Sequence, residues 1–193
     1  MHVTDELIKA VEPGHILSIQ VGMTRTAVLA ETAEGLRCGL AASLVNDEFV
    51  HRSHIRVNKA GHLLEFKTEE LIDLIHSPSL TEASIALAVI NALLPRVKTP
   101  KSDLNATQYL AKNGREKNIA LIGHFPFVDE LKTQVKNLWV LELNPRDGDL
   151  PSDAAPQIIP QADFLAITAT TLINQTFEEL VSLCREDATV IML

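Results

Sequence analysis

The sequence predicts an α/β protein in which a small α+β domain with an antiparallel meander precedes a mostly parallel sheet with flanking helices. In the first half, three hydrophobic runs joined by tight connections, at 15–22, 26–32 and 36–44, are typical of consecutive antiparallel strands. In the second half, strand-like and helix-like segments alternate with short connections, which favours parallel βαβ units. With 193 residues and 46% hydrophobic content, the chain can bury the core of one large domain or of two small ones.

Helical segments flank the predicted meander. Residues 3–11 predict a short helix that ends before Pro13 and Gly14. Apolar residues recur at helical spacing over 68–75 and 79–94. The first half is therefore predicted to combine an antiparallel sheet with a few helices.

A charged stretch interrupted by proline, residues 96–105, lacks a hydrophobic period and predicts an interdomain linker. The predicted domains are 1–97, the α+β domain, and 98–193, a small Rossmann-like α/β domain. In the second domain, helices are predicted over 106–114 and near 126–135, 153–159 and 175–184, with strands near 118–123, 138–143, 163–168 and 188–192.

Composition excludes several classes of protein. The formal charge of −8 is spread through the chain, which argues against nucleic-acid binding because a basic stripe would be expected. Cys38 and Cys184 lie far apart and belong to no C-x-x-C pair, so a reducing compartment is predicted. The sequence shows neither a signal-peptide pattern nor an apolar run of membrane-spanning length. We therefore expect a cytoplasmic protein that does not enter a membrane.

Three hydrophobic runs in the second half break off into small, polar or acidic residues where a parallel strand should end. Open α/β sheets bind ligands beyond the carboxyl ends of their strands, so these ends predict a ligand site. The first is G-H-F-P, 123–126, which suits a strand-to-helix turn with Pro126 in the first helical turn. It lacks the further glycines of a dinucleotide fingerprint. A tight turn whose Phe125 and Phe127 pack on the sheet is the alternative interpretation.

The second strand end carries acidic residues. Glu142 lies where Rossmann domains place an acid for a ribose hydroxyl, or it is simply a solvated or capping acid. Asp149 follows in N-P-R-D-G-D-L-P, 144–151. It either belongs to an Asx-type turn or faces the crevice as a hydrogen-bond acceptor or hard metal ligand.

The third strand end is rich in hydroxyl groups. Thr168, Thr170 and Thr171 stand between the predicted strand and Asn174, which is placed to cap the next helix. Helix capping explains Asn174 without a ligand but leaves the three hydroxyl groups unexplained. This loop is therefore predicted to contact ligand.

Neither the histidines nor the serines follow a motif. His51 and His54 could share one side of a helical turn, but no H-E-x-x-H or cysteine-rich spacing indicates zinc, and a packed or solvated role is favoured for both. His124 lies in the predicted crevice. A serine hydrolase is not supported, because G-x-S-x-G is absent.

Together, G-H-F-P, E-L-N-P-R-D-G-D-L-P and I-T-A-T-T-L-I-N-Q-T resemble a family of prokaryotic proteins described as "putative heavy-metal chelation" proteins. The resemblance covers nearly the whole chain. It implies an enolase N-terminal-like α+β domain followed by a Rossmann-like domain, with the proposed site in the cleft between them. It also implies that the glycine-containing strand at 39–44 faces the crevice.

Carried over onto matching positions, the resemblance implies a set of ligand-binding residues spread over the three strand ends. They are Gly123, His124, Phe125, Pro126, Glu142, Asp149, Leu150, Pro151, Thr168, Thr171, Leu172, Asn174 and Thr176. Metal contacts are predicted from His124, Glu142 and Asp149. Relatives continue past the last strand with a Gly-Pro-Ser-Thr-Pro type loop, whereas this sequence ends V-I-M-L, so we expect the crevice to lack that loop.

Three functional hypotheses follow. The leading one is a protein that binds a small molecule, a divalent metal or a metal chelate, with catalysis left open. The alternative is a nucleotide- or S-adenosylmethionine-type transferase with Glu142 on a ribose. The third is a homo-oligomeric interaction module with a degenerate crevice.

Overall fold

A computed structural model of the chain describes residues 2–45, 57–97 and 105–193. The chain forms two compact units, each described separately below. The first comprises Met1–Lys98 with the short segment Leu172–Gln175, and the second comprises Thr99–Thr171 with Thr176–Leu193. His51, His54 and most of the predicted linker lie outside the described residues.

Within the described part of the chain, the first unit contains a three-stranded antiparallel sheet in the order β1-β2-β3. This is the antiparallel meander that the sequence predicted. Its strands are β1 Gly14–Val21, β2 Arg25–Thr32 and β3 Gly35–Ala42. Its helices are α1 Val3–Ala10, α2 Thr68–Asp73 and α3 Leu80–Leu93, with 3-10 turns at Leu63–Glu65 and Leu74–His76.

Helix α3 packs on β2 and β3 and is buried almost all round, as expected of a helix without a polar face. It begins after Ser79, whose hydroxyl accepts a hydrogen bond from the backbone N–H of Glu82. Small residues let the helix approach the sheet closely. A Cβ added at Gly39 would lie 2.0 Å from the carbonyl oxygen of Ala88 and 2.3 Å from the nitrogen of Ala92. Packing of α3 thus accounts for the glycine that the resemblance assigned to a crevice.

Arg37 is a buried cation in β3, and its side chain is 5% exposed. Its Nη1 donates to the carbonyl oxygen of Leu94, the C-cap residue of α3, at 2.8 Å. Its Nη2 forms ion pairs with Glu12, at 3.0 Å, and with Glu34. This one side chain therefore holds together the sheet, the end of α3 and the segment before β1.

The second unit contains a five-stranded sheet in the order β6-β5-β4-β7-β8 within the described residues, and every pairing is parallel. Its strands are β4 Asn118–Ile122, β5 Asn137–Glu142, β6 Leu150–Pro151, β7 Phe164–Ile167 and β8 Thr189–Met192. Its helices are α4 Ala106–Asn113, α5 Val128–Lys132, α6 Ala155–Ile158, α7 Thr170–Ile173 and α8 Phe177–Ser182, with 3-10 turns at Ser152–Ala154 and Ile159–Gln161. The last two residues of α7 belong to the first unit. The two sheets and their helices confirm the predicted α/β class.

Three elements of this unit differ from the sequence-based prediction. Strand β6 was not predicted, because two residues that include a proline carry no strand pattern. The helix predicted near 153–159 is divided into 3-10, α and 3-10 turns, since Pro156 and Pro160 each lack a backbone N–H. The third difference is α7, a helical turn where a loop was expected.

The order of the strands in this sheet indicates where a ligand would be expected to bind. From β4 the chain adds β5 and then β6 on one side, whereas β7 and β8 lie on the other side. The order therefore reverses at β4, and a crevice forms beyond the carboxyl ends of neighbouring strands at such a reversal. The residues after β4 and β7 are thus the first to inspect.

Both cysteines are free; Cys38 is exposed and Cys184 is partly buried. Burial raises the pKa of the Cys184 thiol.

None of the helices in the described ranges combines the length and the apolar character needed to cross a bilayer.

Candidate functional site

Gly123 forms a tight turn directly after β4. Its φ of +101° lies in the region that favours glycine, and its N–H donates to the carbonyl oxygen of Leu141 at 3.0 Å. A Cβ here would lie 3.3 Å from Thr168 Cγ2. The ends of β4 and β7 therefore meet where the strand order reverses.

Glu142, at the end of β5, stabilises this turn. Its Oε1 accepts the backbone N–H of His124 at 2.7 Å, and its Oε2 accepts the N–H of Leu143 at 3.0 Å. Both carboxylate oxygens are thus engaged by the backbone of this unit. This arrangement matches the capping alternative for Glu142 and leaves less capacity for a ribose hydroxyl.

His124 and Asp149 form the most closely engaged pair of predicted site residues. The imidazole Nδ1 lies 3.0 Å from Asp149 Oδ1 and 2.9 Å from Oδ2. The Asp149 side chain is 3% exposed, and that of His124 is 21% exposed. A nearly buried carboxylate therefore fixes a ring that still reaches solvent.

Asp149 also closes its own turn. Its Oδ2 accepts the N–H of Arg146 at 3.1 Å, while its N–H donates to the Arg146 carbonyl oxygen at 3.0 Å. Gly148 supports the turn with a φ of +87°. Asp149 is therefore a turn residue that also contacts His124, whereas its role as a hydrogen-bond acceptor or metal ligand for a bound molecule stays a prediction.

The charge on Asp149 defines the form of the histidine ring. Burial raises the pKa of this carboxyl group. Hydrogen bonds from the N–H of Arg146 and the imidazole of His124 lower it by more, so the pKa of Asp149 lies below its usual range. An ionised carboxylate only accepts hydrogen bonds, so Nδ1 carries the proton between the two groups. In a neutral ring, Nε2 then has a lone pair for a ligand or a proton.

The aromatic residues of the first turn have a structural role. Phe125 and Phe127 stack with ring centroids 5.2 Å apart and pack against the core of the second unit. Pro126 is exposed and lies before α5, which begins at Val128. The prediction that Pro126 occupies the first helical turn is therefore wrong, because Pro126 lies in a turn in which the N–H of Val128 donates to the carbonyl oxygen of Phe125 at 3.1 Å.

The threonine hydroxyl groups are engaged locally. Thr168 Oγ1 accepts the N–H of Thr170 at 3.3 Å and lies 3.1 Å from Thr170 Oγ1. Thr171 Oγ1 donates to the carbonyl oxygen of Thr168 at 2.7 Å. These bonds start α7 and explain the hydroxyl groups that capping by Asn174 left unexplained. Thr168 and Thr170 are only partly buried.

The predicted capping role of Asn174 is wrong. The N-cap position of α8 is Thr176, and Asn174 lies between α7 and α8 because α7 inserts an additional helical turn. Leu172 and Asn174 belong to the first unit. In that unit the neighbouring Gln175 donates from Nε2 to the carbonyl oxygen of Ser77 at 3.0 Å.

The structure thus brings Gly123, His124, Glu142, Asp149 and Thr168 together at the strand ends. Leu150 and Pro151 form β6, which pairs with the end of β5. Across residues 2–45, 57–97 and 105–193, no group of three or more His, Cys, Asp or Glu side chains is arranged to hold a metal ion. Metal binding by the trio His124, Glu142 and Asp149 stays a prediction.

Sequence reasoning missed Arg146, whose backbone N–H holds Asp149. The available signal was the spacing of R-D-G-D, which is typical of a turn whose last carboxylate accepts from the residue three positions earlier. This spacing would have favoured the interpretation of Asp149 as a turn residue.

Replacement of Asp149 by Asn should lower the free energy of unfolding by about 1.5 kcal/mol at neutral pH, since hydrogen bonds to charged groups contribute roughly 1.5–3 kcal/mol and Asn retains some. The folded-state pKa of Asp149 is depressed, so its contribution is present at neutral pH. It should disappear as the pH falls through about 4 and below the folded-state value. Urea unfolding of the unchanged chain and of Asp149→Asn at several pH values measures the difference in their free energies of unfolding. A stability difference that grows as the pH falls would contradict a stabilising role of the ionised Asp149 carboxylate.

Comparison with known proteins places this fold and site in context. Sequence models of two domain families match the chain, DUF4213 over residues 4–94 and DUF364 over residues 105–193, and both are described as "Putative heavy-metal chelation". An uncharacterized protein of Methanocaldococcus jannaschii is 25% identical over 171 residues, which cover 84% of this chain. The chain spans 63% of the length of that relative.

Two crystal structures of DUF364-family proteins of unknown function are similar to the chain. The protein from Desulfitobacterium hafniense matches with a TM-score of 0.80 and 24% identity, over 98% of this chain and 76% of that one. The protein from Pyrococcus horikoshii matches with a TM-score of 0.78 and 22% identity, over 98% and 75% of the two chains. These structures support the α/β fold. Residues 4–94 therefore belong to the DUF4213 family and residues 105–193 to the DUF364 family, both described as "Putative heavy-metal chelation".

Proposed function

We propose that the chain binds a metal chelate or a similar small molecule at the carboxyl ends of β4, β5 and β7. The observation that carries this proposal is the His124–Asp149 pair, in which a 3% exposed carboxylate orients a ring that reaches solvent. Imidazoles that bind metals commonly donate their second nitrogen to a carboxylate in this way. The family description, heavy-metal chelation, points to the same chemistry.

The neighbouring groups fit a polar ligand. The hydroxyl groups of Thr168 and Thr170 lie together after β7, and the two threonines are partly exposed. A threonine hydroxyl can donate one hydrogen bond and accept two, so the pair retains capacity for an oxygen-rich ligand.

The proposed setting is the cytoplasm, because two free cysteines suit a reducing compartment. Nucleic acid is not a proposed partner, because the net charge is −8. The transferase alternative finds no support, since both oxygens of Glu142 accept backbone N–H groups and the turn has a single glycine.

Isothermal titration calorimetry with divalent metals, alone and with small carboxylate or amine chelators, tests this function. We expect binding to the unchanged chain that weakens by about 10- to 100-fold in Asp149→Ala, the range typical of losing a carboxylate behind a metal-binding histidine. Asp147→Ala is the matched control, because Asp147 is an exposed acid in the same turn. It should bind like the unchanged chain. Absence of heat across the whole panel would refute the proposal.

A further inference from the structure

The donors at the strand ends suit one type of metal ligand. We infer that His124 supplies, through Nε2, a single imidazole ligand to a metal ion that is already held by a small-molecule chelator and retains an open coordination position. This inference rests on the proposed function and names its ligand class. The protein would recognise the complex and would not extract a bare ion.

The first argument is orientation. Both oxygens of Asp149 lie within 3.0 Å of Nδ1, so this nitrogen is committed to the carboxylate. Among the described residues no hydrogen-bond partner of Nε2 is found, and the side chain is 21% exposed. Asp149 is thus a positioning residue that presents Nε2 to an incoming group.

The second argument concerns the number of ligands. Protein sites that retain zinc use three or four side chains, whereas the described residues contain no group of three suitable side chains. Glu142 accepts hydrogen bonds from two backbone N–H groups. Asp149 accepts hydrogen bonds from the backbone N–H of Arg146 and from the imidazole of His124. One imidazole binds a bare ion weakly. It adds specificity when a chelator already supplies the other ligands.

The third argument comes from an internal comparison. His62 also pairs through Nδ1 with a carboxylate, Glu65 Oε1, at 2.7 Å. Both side chains of that pair are 66% exposed and lie three residues apart in one short segment. The His124 pair joins residues 25 positions apart and includes a nearly buried acid. If orientation by a buried carboxylate is what matters, only the second pair should bind the complex well.

Copper(II) provides the probe, because nitrogen ligands are visible in its electron paramagnetic resonance spectrum. Copper–nitrilotriacetate leaves a coordination position open, whereas copper–EDTA occupies the positions that an imidazole would need. We expect bound copper–nitrilotriacetate to show an imidazole nitrogen signal in addition to that of the chelator's own amine nitrogen. His124→Gln should remove the imidazole signal and lower the affinity at least about tenfold, as for other changes in the ligand environment of metals. His62→Gln, the matched control, should retain both signal and affinity.

A second measurement avoids the variants. In nuclear magnetic resonance spectra of the unchanged chain, substoichiometric copper–nitrilotriacetate should broaden the ring protons of His124 before those of His62. Equal broadening, equal loss in the two variants, or His124-dependent binding of copper–EDTA as tight as that of the open complex would overturn the inference. If calorimetry shows Asp149-dependent binding while the imidazole nitrogen signal is absent, this inference fails but the proposed function stands.

Discussion

Replacement of Gly39 by Ala should destabilise the first unit by about 3 kcal/mol or more. The new Cβ would lie 2.0 Å from the Ala88 carbonyl oxygen and 2.3 Å from the Ala92 nitrogen. Overpacking usually costs about 1–3 kcal/mol, and here the obstacle is helix backbone, which cannot rotate away like a side chain. Such a loss is large against the roughly 5–15 kcal/mol stability of a typical domain. Urea unfolding followed by circular dichroism measures it.

Gly35→Ala is the matched control, because the same substitution is made in the same strand. Gly35 has a φ of +102° and nothing within 4 Å of an added Cβ, so only backbone strain is expected. Strain of this type costs on the order of 1 kcal/mol or slightly more. Equal losses in the two variants would show that close approach of α3 is not the reason for Gly39.

Arg37→Ala should lower the free energy of unfolding by about 2–3 kcal/mol. Removing one partner of a buried ion pair typically costs about 3–5 kcal/mol. We expect less, because the Glu12 and Glu34 side chains are 40% and 52% exposed and can be rehydrated. The Leu94 carbonyl oxygen would also lose its donor at the end of α3. Chemical denaturation at neutral pH gives the difference directly.

Two further variants identify the cause of this loss. Arg37→Lys retains the charge but not the fork that donates to a carbonyl and two carboxylates, so its stability should be intermediate. Arg25→Ala removes an exposed arginine from the neighbouring strand β2 and should change stability by no more than about 0.5 kcal/mol. A loss in Arg25→Ala as large as in Arg37→Ala would point to general charge effects.

The regular elements could be predicted because their pattern is local. The run T-A-V-L-A-E-T at 26–32, followed by the turn signal Glu34-Gly35, indicates a strand, and β2 buries every second residue. The continuous apolar run F-L-A-I, inside the strand predicted near 163–168, likewise becomes the fully buried β7. The class of the fold was therefore available from periodicity and from short connections between segments.

The errors arose where distant or competing contacts decide the structure. Asn174 has the composition of a cap, but the bonds between Thr168, Thr170 and Thr171 start another helical turn first. Gly39 is explained by a helix that begins about forty residues later, and spacing in one strand does not reveal it. Side-chain groups that complete a local hydrogen bond cannot be told from ligand groups by residue type.

Within the site, proximity could be predicted, whereas the division of roles could not. The strand-end rule anticipated that Gly123, Glu142 and Thr168 would lie near one another. The sequence did not show that Glu142 would hold the backbone of His124 while Asp149 holds its ring. That division depends on the exact approach of two strand ends and of a turn.

Strand β6 pairs with the sheet through only Leu150 and Pro151, next to Asp149. Edges with few pairings open more readily than central strands, since fewer contacts must be broken. When this edge opens, Asp149 moves with it and the His124 ring loses its fixed tautomer and direction. If a ligand binds as proposed, opening of β6 would lower its affinity, and the bound ligand would in turn shift the edge towards its closed state. Under the proposed function, the smallest strand of the sheet would set how often the site is ready to bind.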